Sequence, residues 1–122
     1  MEDNKYFLPK LSDFRIGYEY EENFEHSGWE SSTYSTFHVN LYNMEKKISL
    51  GIIWVPYLTK EQIEGEGWEP VTDSVYTKGT KQFSYQSDMQ KVSISEGESI
   101  IYNGKCLDIN TLRLISSLLN IN

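Results

Sequence analysis

The chain has 122 residues, of which 39% are hydrophobic and 24% charged, values typical of a globular protein, and we expect one domain over residues 1–122. The single cysteine, Cys106, excludes an internal disulfide and a multi-cysteine zinc site. The longest apolar run, Leu50–Leu58, is much shorter than the ~20 residues that span a bilayer. No signal peptide is visible, so we expect a cytoplasmic protein that does not bind membranes.

The net charge of −7 is concentrated in two windows that contain no Lys or Arg. The acidic residues of residues 16–44 are Glu19, Glu21, Glu22, Glu25 and Glu30. Those of residues 61–77 are Glu61, Glu64, Glu66, Glu69 and Asp73. Such segments repel the phosphates of duplex nucleic acid and favour a protein partner with a basic face.

The first predicted strand lies in DFRIGYEYEE, Asp13–Glu22, where apolar and polar residues alternate with period two. This pattern predicts that one face points into the core and that Glu19 and Glu21 face solvent. The residues of the predicted core face are Phe14, Ile16, Tyr18 and Tyr20.

A polar connection is predicted over Asn23–Ser32, followed by a second strand near Tyr34–Leu41 and a turn at YNMEKK. The third predicted strand, Ile48–Val55, is apolar on both faces in its second half, which is typical of a central strand. Trp54 falls on its core face, and Pro56 ends it.

A short helix is predicted after Thr59, because Thr59 and Gln62 have the spacing of a capping box and Gly65 can provide the left-handed C-terminal residue. Extended structure follows over residues 68–86, with an interruption near Lys78–Gly79. The register then favours a hairpin with a three-residue loop, Glu96–Gly97–Glu98, that sets Ile94 against Ile100.

A second tight turn is predicted at Asn103–Gly104. The last predicted element is an amphipathic helix with Asn110 as its N-cap and Leu112, Ile115, Leu118 and Leu119 on its apolar face. These elements together predict an α+β fold: a mostly antiparallel sheet with a short middle helix and a C-terminal helix packed on it.

Three segments in this order resemble a group of small uncharacterised proteins encoded by phages, prophages and mobile elements of Bacteroides-type gut bacteria. The segments are LPKLSDFRIGYEYE, WVPYLTKEQIEGEGWEPV and IIYNGKCLDINTLRLISSLLNI. The resemblance implies a product that acts in the cytoplasm of the host cell. It implies no activity and no catalytic residues.

Three arrangements could in principle support chemistry. Glu19 and Glu21 share a strand face, as paired acid–base carboxylates would, but nothing in the sequence separates their pKa values, and a solvated face is favoured. The loop residues Glu22, Glu25, His26 and Glu30 have oxygen and imidazole ligands but irregular spacing. Cys106 lies in an apolar context that makes a thiol inert. We therefore predict no catalytic residue, no metal site and no cofactor.

Trp29 and Trp68 lie inside the acidic windows, and tryptophan is a favoured anchor in protein interfaces. The predicted partner-binding residues are Glu19, Glu21, Glu25, Trp29, Glu30, Glu64, Glu66, Trp68 and Glu69. The leading hypothesis is accordingly a non-enzymatic accessory protein that binds a host or phage protein through an acidic, aromatic surface.

Two alternatives stay open. A small basic strip beside two aromatic residues could bind a nucleotide-type signal, and its residues are Lys78, Lys81, Phe83, Tyr85 and Lys91. A small hydrolase would depend on the carboxylates and His26. An edge strand can also pair with a second copy of the chain, which gives a homodimer as a further expectation.

Overall fold

The computed structural model describes residues 5–35 and 41–121. This part of the chain has an α+β fold with nine strands and three α-helices, which confirms the predicted class. The chain divides into two compact units, residues 1–57 (unit 1) and residues 58–122 (unit 2). Each unit has its own antiparallel sheet and its own apolar core, and the single domain stays a prediction.

The described residues of unit 1 form four strands, one α-helix and a short 3-10 turn. In chain order they are β1 (Tyr6–Phe7), the 3-10 turn (Leu11–Asp13), β2 (Glu19–Phe24), β3 (Gly28–Thr33), α1 (Leu41–Ser49) and β4 (Ile53–Pro56). The sheet order is β1-β4-β2-β3, with antiparallel neighbours throughout. The buried residues of its core are Tyr18, Tyr20, Tyr34, Met44, Ile53 and Val55.

The first predicted strand is confirmed only in its second half. Tyr18 and Tyr20 are buried, as the alternation predicts, and Phe14 packs against both rings at centroid distances of 4.7 and 5.3 Å. The strand itself begins only at Glu19, and Ile16 is 63% exposed, so its assignment to the core is wrong. A turn precedes β2 and breaks the alternation before Tyr18.

The predicted polar connection at 23–32 is also wrong, because these residues belong to a hairpin. β2 and β3 pair from Glu19–Thr33 to Phe24–Gly28, and the turn between them is residues 25–27. The predicted strand near Tyr34–Leu41 falls partly on residues 36–40, which lie outside the described residues, and Leu41 already begins α1.

YNMEKK is helical and does not form the predicted turn. It lies within α1, which also includes Ile48 and Ser49, so the predicted strand Ile48–Val55 reduces to β4. β4 lies between β1 and β2 in the sheet, as predicted for a central strand. Ile53 and Val55 are fully buried, and therefore Trp54 points to the opposite face and not to the core.

Unit 2 contains a five-stranded sheet of order β5-β6-β7-β8-β9 and two helices. The elements are α2 (Lys60–Gly65), β5 (Glu69–Pro70), β6 (Val75–Lys78), β7 (Lys81–Gln86), β8 (Lys91–Glu96), β9 (Ser99–Lys105) and α3 (Ile109–Leu118). Its core combines strand residues such as Tyr76, Phe83 and Ile94 with Leu112 and Ile115 of α3. The C-terminal helix is thus packed on the sheet, as predicted.

The capping box of α2 is confirmed. Gln62 N donates to Thr59 Oγ1 and Thr59 N donates to Gln62 Oε1, both at 3.1 Å, so two otherwise unpaired N–H groups are satisfied. The helix ends differently from the prediction, because Gly67, with φ of 96°, takes the left-handed conformation in place of Gly65.

The β8–β9 hairpin has a two-residue loop, Gly97–Glu98, in place of the predicted three-residue loop. Ser95 therefore lies opposite Ile100, Ile94 lies opposite Tyr102, and a bulge between these pairs leaves Ile101 as the extra residue. The predicted turn at Asn103–Gly104 is wrong, since β9 continues to Lys105.

The N-cap of α3 is Asp108, two residues before the predicted Asn110. The buried Asp108 carboxylate accepts hydrogen bonds from Thr111 Oγ1 at 2.6 Å and from Asn110 Nδ2 at 2.7 Å. Leu112 and Ile115 are buried as predicted, but Leu118 is 74% exposed. Among the described residues, no helix has the length and apolar character needed to cross a membrane.

Candidate functional site

The face of the unit 1 sheet opposite its core brings together part of the first acidic window and three aromatic rings. Trp54 lies opposite Glu21, and Trp29 lies opposite Asn23, and directly opposed residues of antiparallel strands share a face. Tyr6 lies opposite Pro56, two residues from Trp54, and joins this face. We call the surface of Tyr6, Glu19, Glu21, Trp29 and Trp54 the aromatic–acidic face.

The three rings of this face form one stack. Trp54 is in the middle, with Tyr6 at a centroid distance of 4.0 Å and an interplanar angle of 13°. Trp29 lies on the other side of Trp54 at 3.6 Å and 6°. Each such pair contributes about 0.5–1.5 kcal/mol beyond the area it buries. All three side chains are half-buried, so the stack is fixed but its edges reach solvent.

Glu21 is bound to the centre of the stack. Trp54 Nε1 donates to Glu21 Oε1 at 2.6 Å, a short bond to a charged acceptor between residues 33 positions apart. The bond holds the indole in one orientation, and it fixes a negative charge beside the rings. Glu21 is therefore both a positioning residue for Trp54 and a charge on the surface.

Glu22, the neighbour of Glu21, points to the other side of the sheet. Its side chain is mostly buried, and its Oε2 pairs with Lys47 Nζ of α1 at 3.0 Å. This pair connects α1 to the sheet and neutralises the charge. Glu22 is therefore structural and is not part of the aromatic–acidic face.

The other acidic residues of the first window do not join the face. Glu25 and His26 lie in the turn of the β2–β3 hairpin, and both are exposed. Glu30 is exposed and lies opposite Glu22 in the β2–β3 ladder. Since Glu30 follows Trp29 on the same strand, its side chain points to the other face of the sheet. Within the described ranges, no group of three or more His, Cys, Asp or Glu is placed to hold a metal ion.

The predicted binding residues of the second window lie in unit 2, and its aromatic member is not on the surface. Trp68 is only 2% exposed and packs against Phe83 in the core at 5.1 Å, so its assignment as a surface anchor is wrong. Glu64 and Glu69 are exposed, whereas Glu66 Oε2 accepts from Arg113 Nε at 3.1 Å. The second window therefore provides carboxylates without an exposed ring.

The negative charges of the second window affect the pKa of a buried tyrosine. Burial raises the pKa of Tyr76, and the charges of Glu64, Glu61 and Asp73 raise it further, in that order. The effect indicates a negative potential at this end of unit 2. It does not by itself provide a site.

The proposed ligand strip does not have the surface it requires. Phe83 and Tyr85 are buried in the core of unit 2, and Tyr85 Oη donates to Leu58 O at 2.9 Å, so neither ring can stack on a base. Lys78 Nζ donates to Glu66 O at 2.7 Å, and Lys81 pairs with Glu96 at 3.8 Å. Lys91 lies on β8, half-buried, opposite Gln86 and Lys105. The aromatic part of that prediction is wrong.

Cys106 is an inert thiol, as its context predicts. Its side chain is fully buried, and burial, with a smaller contribution from the charge of Asp108, raises its pKa to about 12. A thiol with this pKa contains almost no thiolate near neutral pH and is a poor nucleophile.

Two residues of the face, Tyr6 and Trp54, are not among the residues that the sequence predicts for a binding surface. The alternation of Trp54 with Ile53 and Val55 contains the signal, because two β-branched neighbours on one side imply that the ring faces the other side. Tyr6 has no comparable signal, since its strand is only two residues long.

In comparisons with known proteins, no family model, no curated protein and no solved structure matches this chain.

Proposed function

We propose that the protein is a non-enzymatic binding protein that holds a protein partner on its aromatic–acidic face. The observation that supports this most directly is the hydrogen-bonded stack of Tyr6, Trp54 and Trp29 on the side of the sheet away from the core. Tryptophan and tyrosine supply large contact areas at a low cost in conformational entropy, and they dominate measured interface energies.

The stack is organised before a partner arrives. Its rings are held by each other and by the bond from Trp54 to Glu21. Binding therefore immobilises few additional side-chain torsions on this surface, which lowers the entropic cost of association.

The chemistry of the face favours a basic partner. Glu21 lies opposite Trp54, and Glu19 shares its strand face two residues away, in a chain with a net charge of −7. An arginine side chain can stack its guanidinium plane on an indole while it pairs with a nearby carboxylate. We propose that arginine and lysine side chains of the partner occupy the border between the rings and these glutamates.

The resemblance to phage and mobile-element proteins gives the proposal a setting. The partner would be a host or phage protein met in the cytoplasm of the infected cell, and the protein would act as an accessory factor. A binding surface of this kind needs no cofactor for that role.

A capture experiment tests the proposal with three immobilised variants and wild type. Trp29→Ala removes one end of the stack, and Glu21→Gln removes the charge while leaving an oxygen that can accept from Trp54. Leu118→Ala is the control, because Leu118 is an apolar side chain in unit 2 that is 74% exposed. Proteins from host lysate are bound at low salt and released by increasing salt.

We expect the captured proteins to be basic, to bind wild type and the Leu118→Ala control equally, and to be released as ionic strength rises. Trp29→Ala is expected to weaken the binding of a purified partner by about 2 kcal/mol, which is about 30-fold in Kd. Glu21→Gln is expected to weaken it about threefold to tenfold and to flatten the salt dependence. Equal retention by wild type and Trp29→Ala, or binding that salt does not affect, would count against the proposal.

A further inference from the structure

The two edges of the sheet in unit 2 are very different. On one side, β5 consists of only Glu69 and Pro70, and short length, a charge and a proline are all features that prevent strands from adding to an edge. On the other side, β9 has seven residues, and none of Ser99–Gly104 is charged. Within the described residues, β9 pairs only with β8.

The outer edge of β9 has backbone groups available for pairing. Cys106 N donates to Gln90 O at 2.8 Å, just beyond the last pair of the β8–β9 ladder, so that last pair, Lys91–Lys105, is a non-bonded one. Because bonded and non-bonded pairs alternate, the pair of Ser93 and Asn103 is a non-bonded one. The N–H and C=O of Asn103 therefore point away from β8.

Side chains on this edge favour contact with another strand. Ile100 is 65% exposed, and Asn103 is also exposed. The ring of Tyr102 lies over Gly104, with its Oη at 3.2 Å from the position of a Cβ there, and the same hydroxyl donates to Lys105 O at 2.7 Å. This contact keeps the glycine position extended, and it occupies Lys105 O, so the outward backbone groups offered to a second strand lie at Asn103 and before it.

We propose that two copies of the chain pair through β9, antiparallel and around a two-fold axis, so that their two five-stranded sheets become continuous. The charges at the ends of β9 select this occupant and this direction. Glu98 precedes the strand and Lys105 ends it, so antiparallel pairing brings opposite charges together at both ends, whereas parallel pairing would oppose like charges. The interface lies in unit 2 and goes beyond the proposed partner face of unit 1.

Sedimentation velocity over a range of concentrations tests the proposal. Wild type is expected to change from the monomer mass of 14.2 kDa towards twice that value. Asn103→Pro removes an outward N–H without removing a bond to β8, and Ile100→Lys places a charge on the edge. Each is expected to raise the dimer dissociation constant at least about tenfold. Leu118→Lys, at a comparably exposed apolar residue of unit 2, should leave it unchanged.

Amide hydrogen exchange locates the contact. Exchange at Asn103 is expected to slow as the wild-type concentration rises and to stay constant in Ile100→Lys. The proposal is overturned if wild type remains at the monomer mass up to millimolar concentration. It is equally overturned if both β9 variants dimerise as wild type does, or if exchange at Asn103 does not depend on concentration.

Discussion

Replacing Trp68 with alanine is expected to lower the free energy of unfolding by about 3–5 kcal/mol, because the change removes a fully buried aromatic side chain from the core of unit 2. Trp68 packs against Phe83 at 5.1 Å, and Lys78 Nζ lies 5.8 Å from its ring centroid. Urea denaturation followed by far-UV circular dichroism measures the change.

Two variants make this result specific. Trp68→Phe keeps most of the ring and removes a buried Nε1 that has no hydrogen-bond partner within the described residues, so it should cost clearly less than alanine. Trp29→Ala, in the half-exposed stack, should cost at most about 2 kcal/mol. If Trp29→Ala were the more destabilising substitution and Trp68→Ala nearly neutral, the assignment of Trp68 to the core would be wrong.

Stability is expected to fall steeply above pH 9, and this is the second large effect. Burial, with minor charge contributions, raises the pKa of Cys106 from 9.0 to about 12 and that of Tyr85 from 10.0 to about 12. A raised pKa in the folded state means that the stabilisation is complete below the unfolded value and is lost as pH rises towards the folded value. Each group contributes a slope of about 1.4 kcal/mol per pH unit in that window.

Cys106 acts first, from about pH 9, and the tyrosine is added from about pH 10. Cys106→Ala should therefore have a flatter dependence between pH 9 and pH 10 than wild type, measured as the free energy of unfolding in urea. Val92→Ala, a truncation in the same core without a titratable group, should lower stability equally at each pH. A wild-type stability that stays constant from pH 8 to pH 11 would contradict the buried state of both groups.

The sequence predicts the elements of unit 2 better than those of unit 1, because their signals come from residues close together in the chain. The capping box of Thr59 and Gln62 is read from residues three positions apart, and Phe83 and Tyr85 alternate within a single strand. Such signals do not depend on distant partners. The N-cap at Asp108 was missed because Asn110 is an equally good capping residue by type.

Helix α1 was missed although a signal was present. Met44 and Ile48 are four residues apart, the spacing of a helical face, and both pack in or against the core of unit 1. The period-two pattern of residues 48–54 competed with it, and periodicity alone cannot decide between a helix and a strand for so short a segment. The error moved Trp54 to the wrong face.

The β8–β9 loop shows a different limit. Matching apolar residues across a hairpin favours a three-residue loop with Ile94 opposite Ile100, but the chain uses a two-residue loop, and a bulge at Ile101 sets Ile94 opposite Tyr102. A bulge has no period and therefore no clear sequence signal. The register between strands also brings Trp29 and Trp54 together, and no local sequence signal predicts that register.

The candidate site was therefore predicted in part. Alternation in β2 gave Glu19 and Glu21 a common face opposite Tyr18 and Tyr20. Cross-strand register added Tyr6 and Trp54, and burial removed Trp68. The acidic windows, which look equivalent in the sequence, differ because only the first has tryptophan on its surface.

The indole N–H signals of the three tryptophans provide the most direct test of the aromatic–acidic face. In ¹H–¹⁵N spectra recorded while the captured basic partner is added, the signals of Trp29 and Trp54 should shift and that of the buried Trp68 should not. If the Trp29 and Trp54 signals stayed in place at saturating partner, binding would not use this face, and the account would be contradicted.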